Sequence, residues 1–506
     1  MTARVTDGLA FWASAAPERL AIVFDGHDAV DYRALDQWTD NAAHALTAAG
    51  LRHGDRVGVV GANSLEWCAA AIGALKLGAV VVPYNNRFTS SELRQLVDDS
   101  EPAMVLSDED AHPRMVEAVA GTSARLVGLG DFTELRHIEH RPYAQPASGF
   151  DDVAIIIYTS GTTSAPKGVT ITHRSAFSFI SELAMAEPAL RPGGRIIYTL
   201  SMAGAPGLPW HVLHPLTRGM TLFYEKGFDA EATLARLADE RIEVMSGVPV
   251  QFERMAALPD FADADLSSLK LVTIAGARAP LSTIQAWLGK GVPLRQAYGM
   301  TELNGISTLN SAEDALKRPE SIGRGSVFTR HRVVRPDGTD CDPWERGEIV
   351  VNGPSITPGY WRNEAATAAA WRDGWFHTGD LAVRDGDGFI QVVDRMKDLI
   401  ISGGFNIAPS EIEAVISAVP GVEEVCVIPT ADEKFGETPA AIVYASQPLD
   451  ASTIVDHCRN HLAGYKIPRF VIVETAPLPR MASGKIARRQ IQASYADLAA
   501  SQPRVG

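Results

Sequence analysis

The chain has 506 residues, 46% of them hydrophobic and 21% charged, enough for two to four domains with large cores. Sixty-one acidic residues against 46 basic ones leave a formal charge of −15, which argues against nucleic acid or an anionic membrane as a main partner but not against a local pocket for a small anion. Cys68, Cys341, Cys426 and Cys458 lie scattered without CxxC spacing, no signal peptide opens the chain and no apolar stretch of about 18 residues reads as a membrane span, so a reducing cytoplasm is expected. His457, Cys458 and His461 are close together but have no second ligand cluster, and they are not read as a metal site.

Residues 1–150 alternate helix and strand. Tyr32, Leu35, Trp38, Ala42, Ala43 and Leu46 recur at helical spacing within 30–49, with Gly50 as a stop. A short buried strand is expected over 56–60, a helix over 64–77 and a strand over 79–83. Val153 to Ile157 follows, with three consecutive isoleucines suited to a buried strand. Further apolar strands follow at 196–200, 244–248, 271–274 and 294–297, the second running into Pro249 and a helix from Gln251 and the others into loops of small residues. Such alternation predicts mostly parallel sheets covered by helices, whose ligands sit at the carboxyl ends of the strands. From about residue 321 the pattern changes to short strands between turns at 335–339, 346–348 and 385–388, a smaller antiparallel β region. The last hundred or so residues read as an α+β unit with helices over 409–419 and 451–462 and strands over 425–429 and 440–445. The fold class is therefore α/β. A large N-terminal domain spans 1–396, with the β-rich subdomain at about 321–396, and a small α+β domain spans 397–506, the boundary falling in a charged turn at Lys397.

The first isoleucine run feeds YTSGTTSAPKG, Tyr158 to Gly168. Five hydroxyl residues and two glycines let backbone N–H groups approach a polyanion, and Lys167 adds a point charge. A lone loop of this kind is more often a solvated turn; the upstream strand and the embedded lysine favour a phosphate loop. It is not a Walker loop, because Gly168 and Val169 follow Lys167 where Ser or Thr is needed. Three further signals stand downstream in order: YGMTE at 298–302, HTGD at 377–380 followed by DRMKD at 394–398, and GYKIPR at 464–469 followed by PRMASGK at 479–485. Each is weak to moderate alone. Together the four signals resemble the adenylate-forming superfamily, and within it the AMP-forming acyl-CoA synthetases, over essentially the whole chain.

The resemblance implies a small C-terminal domain that moves as a lid, with ATP, Mg2+ and CoA as the bound species. Thr159, Ser160, Gly161, Thr162, Thr163 and Lys167 would wrap the β- and γ-phosphates. Thr301 would touch the α-phosphate and Glu302 would hold Mg2+, in keeping with the need for a cation between a carboxylate and a polyphosphate. Tyr298 would lie along the adenine, with Gly276 and Ala277 opposite. Arg278, Gln296, Ala297, Gly299, Met300 and Val392 complete the implied nucleotide set. Asp380 would accept hydrogen bonds from the ribose with Arg395 assisting, although an Asp after Gly is also a common turn residue. Asp394 stands where many members carry glycine, a change expected to be tolerated. Lys485 would bridge the reacting carboxylate and the α-phosphate, so that Lys485, Lys167, Thr301 and Glu302 form the catalytic set. In the family the small domain then rotates about a hinge, here Lys397, to admit the thiol. Ser402, Gly403 and Gly404 would line the thiol tunnel, and Lys466 would contact CoA.

The acyl pocket departs from the pattern. Many relatives carry an aromatic–His pair that falls near Ala203 and Gly204 here, within SMAGAPG. Trp210, Val248, Gly299 and Met300 are further wall candidates. No carboxylate lies between Ser201 and Trp210 to hold a substrate ammonium. The expected reaction is ATP-dependent ligation of a hydrophobic fatty, aryl or alicyclic acid to CoA. A carrier-loading adenylation enzyme, a luciferase-like oxidase and a non-catalytic nucleotide-binding module are the alternatives. The partners are small molecules, without nucleic acid or a membrane-integral segment, and the sequence leaves monomer and homodimer open.

Overall fold

The computed structural model describes every residue except 1–3, 147, 160–165, 205–206, 278, 482–484, 503 and 506. The chain divides into two compact units: Met1–His331 with Val351–Phe376, and Arg332–Val350 with His377–Gly506. The β-rich stretch, made of Arg330–Val334, Gly347–Asn352, Trp371–Arg372, Trp375–Arg384 and Ile390–Arg395, is shared out by that division.

The first unit holds two sheets. One runs, in spatial order, Arg125–Gly128, Met104–Ser107, Arg56–Val60, Val80–Tyr84, Val153–Thr159 and Lys167–Thr172. Its first five strands are parallel and the last is an antiparallel edge. The other has eight strands: Gly305–Leu309, Leu294–Met300, Leu271–Ile274, Val244–Gly247, Arg195–Tyr198, Thr221–Tyr224, Leu20–Phe24 and Asp28–Asp31. It too is parallel inside and closed by an antiparallel hairpin at each edge. Strands covered on both faces must be apolar throughout, and Ile155 and Ile157 join the main core while Ile156 joins the opposite one.

The main core is built around two helices. Tyr32–Ala48 is capped by Asp31, whose carboxylate accepts from Ala34 N at 2.7 Å, and Leu65–Leu77 by Ser64, whose hydroxyl accepts from Trp67 N at 3.1 Å. Trp38 and Trp67 are fully covered. The helices pack so closely that a side chain on Gly73 would meet the Ala42 methyl at 2.7 Å, which explains the small residues in both. Leu65–Leu77 ends at Gly78, whose φ of 84° is the left-handed cap that glycine supplies.

The second unit carries a five-stranded sheet of Phe405–Ile407, Ile400–Ser402, Gly436–Tyr444 and Glu424–Asp432, with Phe470–Glu474 paired parallel to Gly436–Tyr444. Helices Pro409–Ile416 and Ala451–His461 bury Ile412, Ile416, Ile454 and Val455 against it. Among the described residues no helix is long and apolar enough to cross a membrane.

Candidate active site

Four neighbouring parallel strands of the eight-stranded sheet deliver their carboxyl ends side by side. Arg195–Tyr198 leads to Ala203, Gly204 and Trp210; Val244–Gly247 to Val248; Leu271–Ile274 to Gly276 and Ala277; and Leu294–Met300 to Thr301 and Glu302. Adjacent strands lie about 4.8 Å apart, so these loops share one edge spanning about 15 Å. Tyr298, Gln296 and Ala297 are buried in the last of these strands, and Gly276 and Ala277 are exposed. Gln296 is held at both ends of its amide: its side-chain carbonyl accepts from Ala279 N and its amide nitrogen donates to Pro319 O. Gly299 has a structural reason of its own, since a Cβ there would land 1.7 Å from Gly305 O across the hairpin.

The phosphate-loop candidate begins and ends in paired strands. Thr159 and Lys167 are directly paired residues of its two antiparallel strands. Ser160, Gly161, Thr162 and Thr163, which fall between those strands in sequence, and Arg278 lie outside the described residues. Lys167 Nζ sits 5.1 Å from the centre of the Tyr360 ring, and the Tyr360 hydroxyl donates to Glu302 Oε1 at 3.0 Å. Burial, with the charge of Glu302 adding to it, pushes the Tyr360 phenol well above its usual range, so it acts as a donor. Backbone bonds lock this arrangement: Trp361 N donates to Gly168 O at 2.7 Å, and Thr357 N to Glu302 O at 2.8 Å. Thr301 and Glu302 are both buried. Tyr360 carries no signature in the sequence beyond its place in the turn-rich run TPGYW, 58 positions from Glu302.

The acyl-pocket candidates differ among themselves. Ala203 is buried and Gly204 closes a turn through Gly204 N to Ser201 O at 3.2 Å. Trp210 lies in a π-helical stretch, Leu208–Leu213, a form that often marks functional sites. It stacks on His214 at 5.0 Å and 14°, while His211 stacks on Tyr198 at 4.3 Å. Burial drives the His211 and His214 imidazoles down to about 3, Arg218 adding to the effect at His214, so both are neutral. The Tyr198 hydroxyl and both His214 nitrogens have no hydrogen-bond partner among the described residues. Val248 and Met300 are half-buried.

In the second unit the structure gathers Asp380, Arg395, Lys397 and Lys485. Asp380 and Arg395 are register partners across an antiparallel pair, with Arg395 Nε 3.5 Å from Asp380 Oδ1. The HTGD turn is fixed from below by Glu348, which accepts from Gly379 N at 3.0 Å and pairs with His377 Nδ1 at 2.7 Å. Gly379 has a φ of 73°, which its lack of a side chain permits. Lys485 is tied to Met481 through its backbone, its carbonyl accepting from Met481 N at 2.7 Å. Burial and then the charge of Arg395 hold its ammonium below the usual lysine range, and Asp380 opposes them. Lys397, exposed as a residue, is lowered by partial desolvation first and by Arg395 next. Val392 is half-buried in the strand that carries Arg395.

Three candidates of this unit, Lys466, Gly403 and Gly404, have structural ties of their own. Lys466 pairs with Glu411, which Arg346 also approaches at 3.4 Å. Gly403 and Gly404, with φ of 55° and 85°, are the central residues of the two-residue hairpin between Ser402 and Phe405, where a primed turn needs positive φ at both positions. Asp394 ties strand Ile390–Arg395 to helix Pro409–Ile416, because its carboxylate accepts from Ser410 N at 2.9 Å and from Arg395 N at 2.7 Å.

Residues 9–361 match the family model described as AMP-binding enzyme, and residues 411–485 match that of the AMP-binding enzyme C-terminal domain. The chain is 37% identical to a feruloyl-CoA synthase from an Amycolatopsis species over 495 residues, 96% of this chain and 99% of that one. It is 36% identical to the long-chain-fatty-acid–CoA ligase FadD13 of Mycobacterium tuberculosis over 493 residues, 96% of this chain and 97% of the other. Among solved structures, ATP-bound MatB from Rhodopseudomonas palustris superimposes with a TM-score of 0.90 at 29% identity, covering 98% of this chain and all of that one.

Proposed function

Because the chain belongs to the AMP-binding enzyme family and is an AMP-forming acyl-CoA ligase, we propose that its substrate is a hydrophobic carboxylic acid, fatty, aryl or alicyclic. Such an acid attacks the α-phosphorus of ATP through a carboxylate oxygen, and the bond to pyrophosphate breaks. The CoA sulfur then attacks the acyl carbon, AMP leaves and the thiol proton is lost. The observation that carries the substrate class is the wall around Trp210: a buried indole stacked on a neutral imidazole, with no carboxylate between Ser201 and Trp210. A wall of this kind accepts an apolar chain or ring and gives a substrate ammonium no carboxylate to pair with. Small residues at Ala203 and Gly204, in place of an aromatic–His pair, leave the pocket wider at that point.

The residue roles follow the same reading. Lys167 and the hydroxyl loop take the β- and γ-phosphates, Thr301 the α-phosphate, Tyr298 the adenine and Asp380 the ribose. Glu302 presents a hard oxygen in a buried setting, and together with the polyphosphate this donor chemistry suits Mg2+. When bound, Mg2+ would neutralise charge on the phosphate oxygens. Lys485, whose ammonium shares its surroundings with Arg395 and Asp380, supplies positive charge to the adenylation step. Lys397 is the hinge, with Met1 to Met396 as the large domain and Lys397 to Gly506 as the lid, and Ser402, Gly403, Gly404 and Lys466 meet CoA.

The test is a panel of carboxylic acids scored by AMP release, with CoA, with a holo-carrier protein, or with neither thiol. Fatty, aryl or alicyclic acids should release AMP and yield the CoA thioester. Activation of amino acids in preference to these would overturn the substrate class, and turnover with the carrier alone would overturn CoA as the acceptor.

A further inference from the structure

Tyr360 joins the two charged groups to which the adenylation chemistry is assigned. Its hydroxyl donates to Glu302 Oε1 at 3.0 Å and its ring face lies under Lys167 Nζ at 5.1 Å. Neither partner belongs to its own segment. Lys167 begins the antiparallel edge strand of the six-stranded sheet, and Glu302 follows an internal strand of the eight-stranded sheet. The segment carrying Tyr360 is pinned to both. Tyr360 bridges to Val169, Trp361 N donates to Gly168 O, and Thr357 N donates to Glu302 O. Thr357 Oγ1 also donates to Thr170 O at 2.7 Å. One aromatic side chain thus spans the seam between the sheets within the first unit.

Both contacts depend on a side chain that combines a hydrogen-bond donor with an aromatic face. A phenol donates one strong hydrogen bond to a carboxylate, and an aromatic face attracts an ammonium without neutralising it. A carboxylate in place of Tyr360 would pair with Lys167 and repel Glu302; a cation would do the reverse. Tyrosine leaves the full charge of each available to a ligand while setting where each charge sits.

We propose that Tyr360 is a positioning residue for adenylation, holding the Glu302 carboxylate for the metal–ATP complex through its hydroxyl and the Lys167 ammonium for the phosphates through its ring. This rests on the reading of Glu302 as the metal-holding carboxylate and of Lys167 as a phosphate contact. Tyr360→Phe removes only the first function and Tyr360→Leu removes both.

The experiment is calorimetric titration of the full chain, without the acid substrate, using ATP with Mg2+ and ATP in EDTA. Parent, Tyr360→Phe, Tyr360→Leu, Glu302→Gln and the Tyr360→Phe/Glu302→Gln double variant are compared, with melting curves as the check on folding. Tyr360→Phe should bind Mg–ATP about tenfold more weakly and metal-free ATP as the parent does, since a hydrogen bond to a charged group is lost only where that group is used. The double variant should lose little beyond Glu302→Gln alone, because the two act through one contact. Tyr360→Leu should also weaken metal-free ATP. If Tyr360→Phe keeps the parent's affinity for Mg–ATP while Glu302→Gln loses it, the positioning role is wrong and the assignment of Glu302 survives. If Glu302→Gln itself leaves the metal dependence unchanged, the assignment of Glu302 falls and the inference with it. Equal weakening of both forms of ATP in Tyr360→Phe would mark a merely structural role and overturn the proposal. If Tyr360→Leu fails to fold, Tyr360→Phe still decides the part of the hydroxyl, and Tyr360→Met, titrated with metal-free ATP, decides that of the ring: parent affinity there would overturn the role assigned to the ring.

Discussion

Replacing His214 by phenylalanine should flatten the acid side of the protein's stability curve. His214 has no exposed surface, stacks on Trp210, and has neither ring nitrogen bonded among the described residues. Its pKa lies at about 3 in the folded protein, as does that of His211. In the unfolded chain both titrate near about 6.5. Between those values the unfolded state binds a proton on each ring and the folded state does not. The stability these neutral histidines contribute is therefore complete above about pH 6.5 and is lost as pH falls toward 3, at about 1.4 kcal/mol per pH unit for each ring. From pH 7 to pH 4.5 the loss is about 2.5 kcal/mol for each, or about 5 kcal/mol for the pair. That is a large part of a typical total of about 5–15 kcal/mol. His214→Phe removes one of the two proton sites. Phenylalanine is bulkier and carries no unbonded nitrogen, so its net effect at neutral pH has terms of both signs, but these do not vary with pH. The measurement is urea unfolding followed by tryptophan fluorescence at pH 7 and at pH 4.5 for parent and variant. The variant should lose about 2.5 kcal/mol less than the parent between the two conditions. A difference between the proteins that stays constant with pH would show that His214 titrates normally, and the account of the Trp210 wall as a neutral, apolar surface would fail with it.

Lys485→Ala should slow adenylation by about 10²–10³-fold while sparing thioesterification of a supplied acyl-adenylate, as expected for a positive charge needed at one step; equal losses in the two single-turnover rates would remove the assignment. Lys397 is the middle residue of the short turn Met396–Asp398. Proline at 397 would fix its φ near about −65° and bias Met396 toward extended backbone. Lys397→Pro should therefore slow thioester formation at least tenfold more than adenylation, and an unchanged ratio of the half-reaction rates would show that the hinge lies elsewhere. Asp394→Gly should cost about 1 kcal/mol in urea unfolding through loss of the acceptor for Ser410 N, and Asp394→Asn, which keeps an acceptor oxygen, should restore most of it. A glycine variant as stable as the parent would show that the tie contributes nothing.

The alternation of helix and strand was legible because it depends on neighbours along the chain. Polar residues and turn formers bound Arg56–Val60 and Leu271–Ile274, and both strands lie where their apolar runs place them. Trp38, Leu35 and Ala42 mark the buried face of Tyr32–Ala48 by their spacing alone. Strand Lys167–Thr172 was not legible, since KGVTIT reads as the tail of a loop until Val153–Thr159 is there to pair with it. Strand Gly305–Leu309 likewise exists as the partner of Leu294–Met300. The order of the four motifs was enough to indicate the family, because each motif is a local run of residue types suited to phosphate, ribose or carboxylate.

Only the tertiary structure decided which of those runs meet. Asp380 and Arg395 meet through a strand pairing, and Lys485 shares their electrostatic environment though it is distant in sequence. Tyr360 reaches Glu302 and Lys167 through backbone bonds that no spacing rule encodes. Asp394, legible only as a departure from the pattern, acquires its purpose from Ser410 across the turn. His211 and His214 owe their neutrality to complete burial, which is a property of everything packed around them. Local sequence sets the propensity of a segment and the chemistry of each side chain; distance, desolvation and the identity of a partner belong to the packed chain, because they depend on residues that become neighbours only on folding.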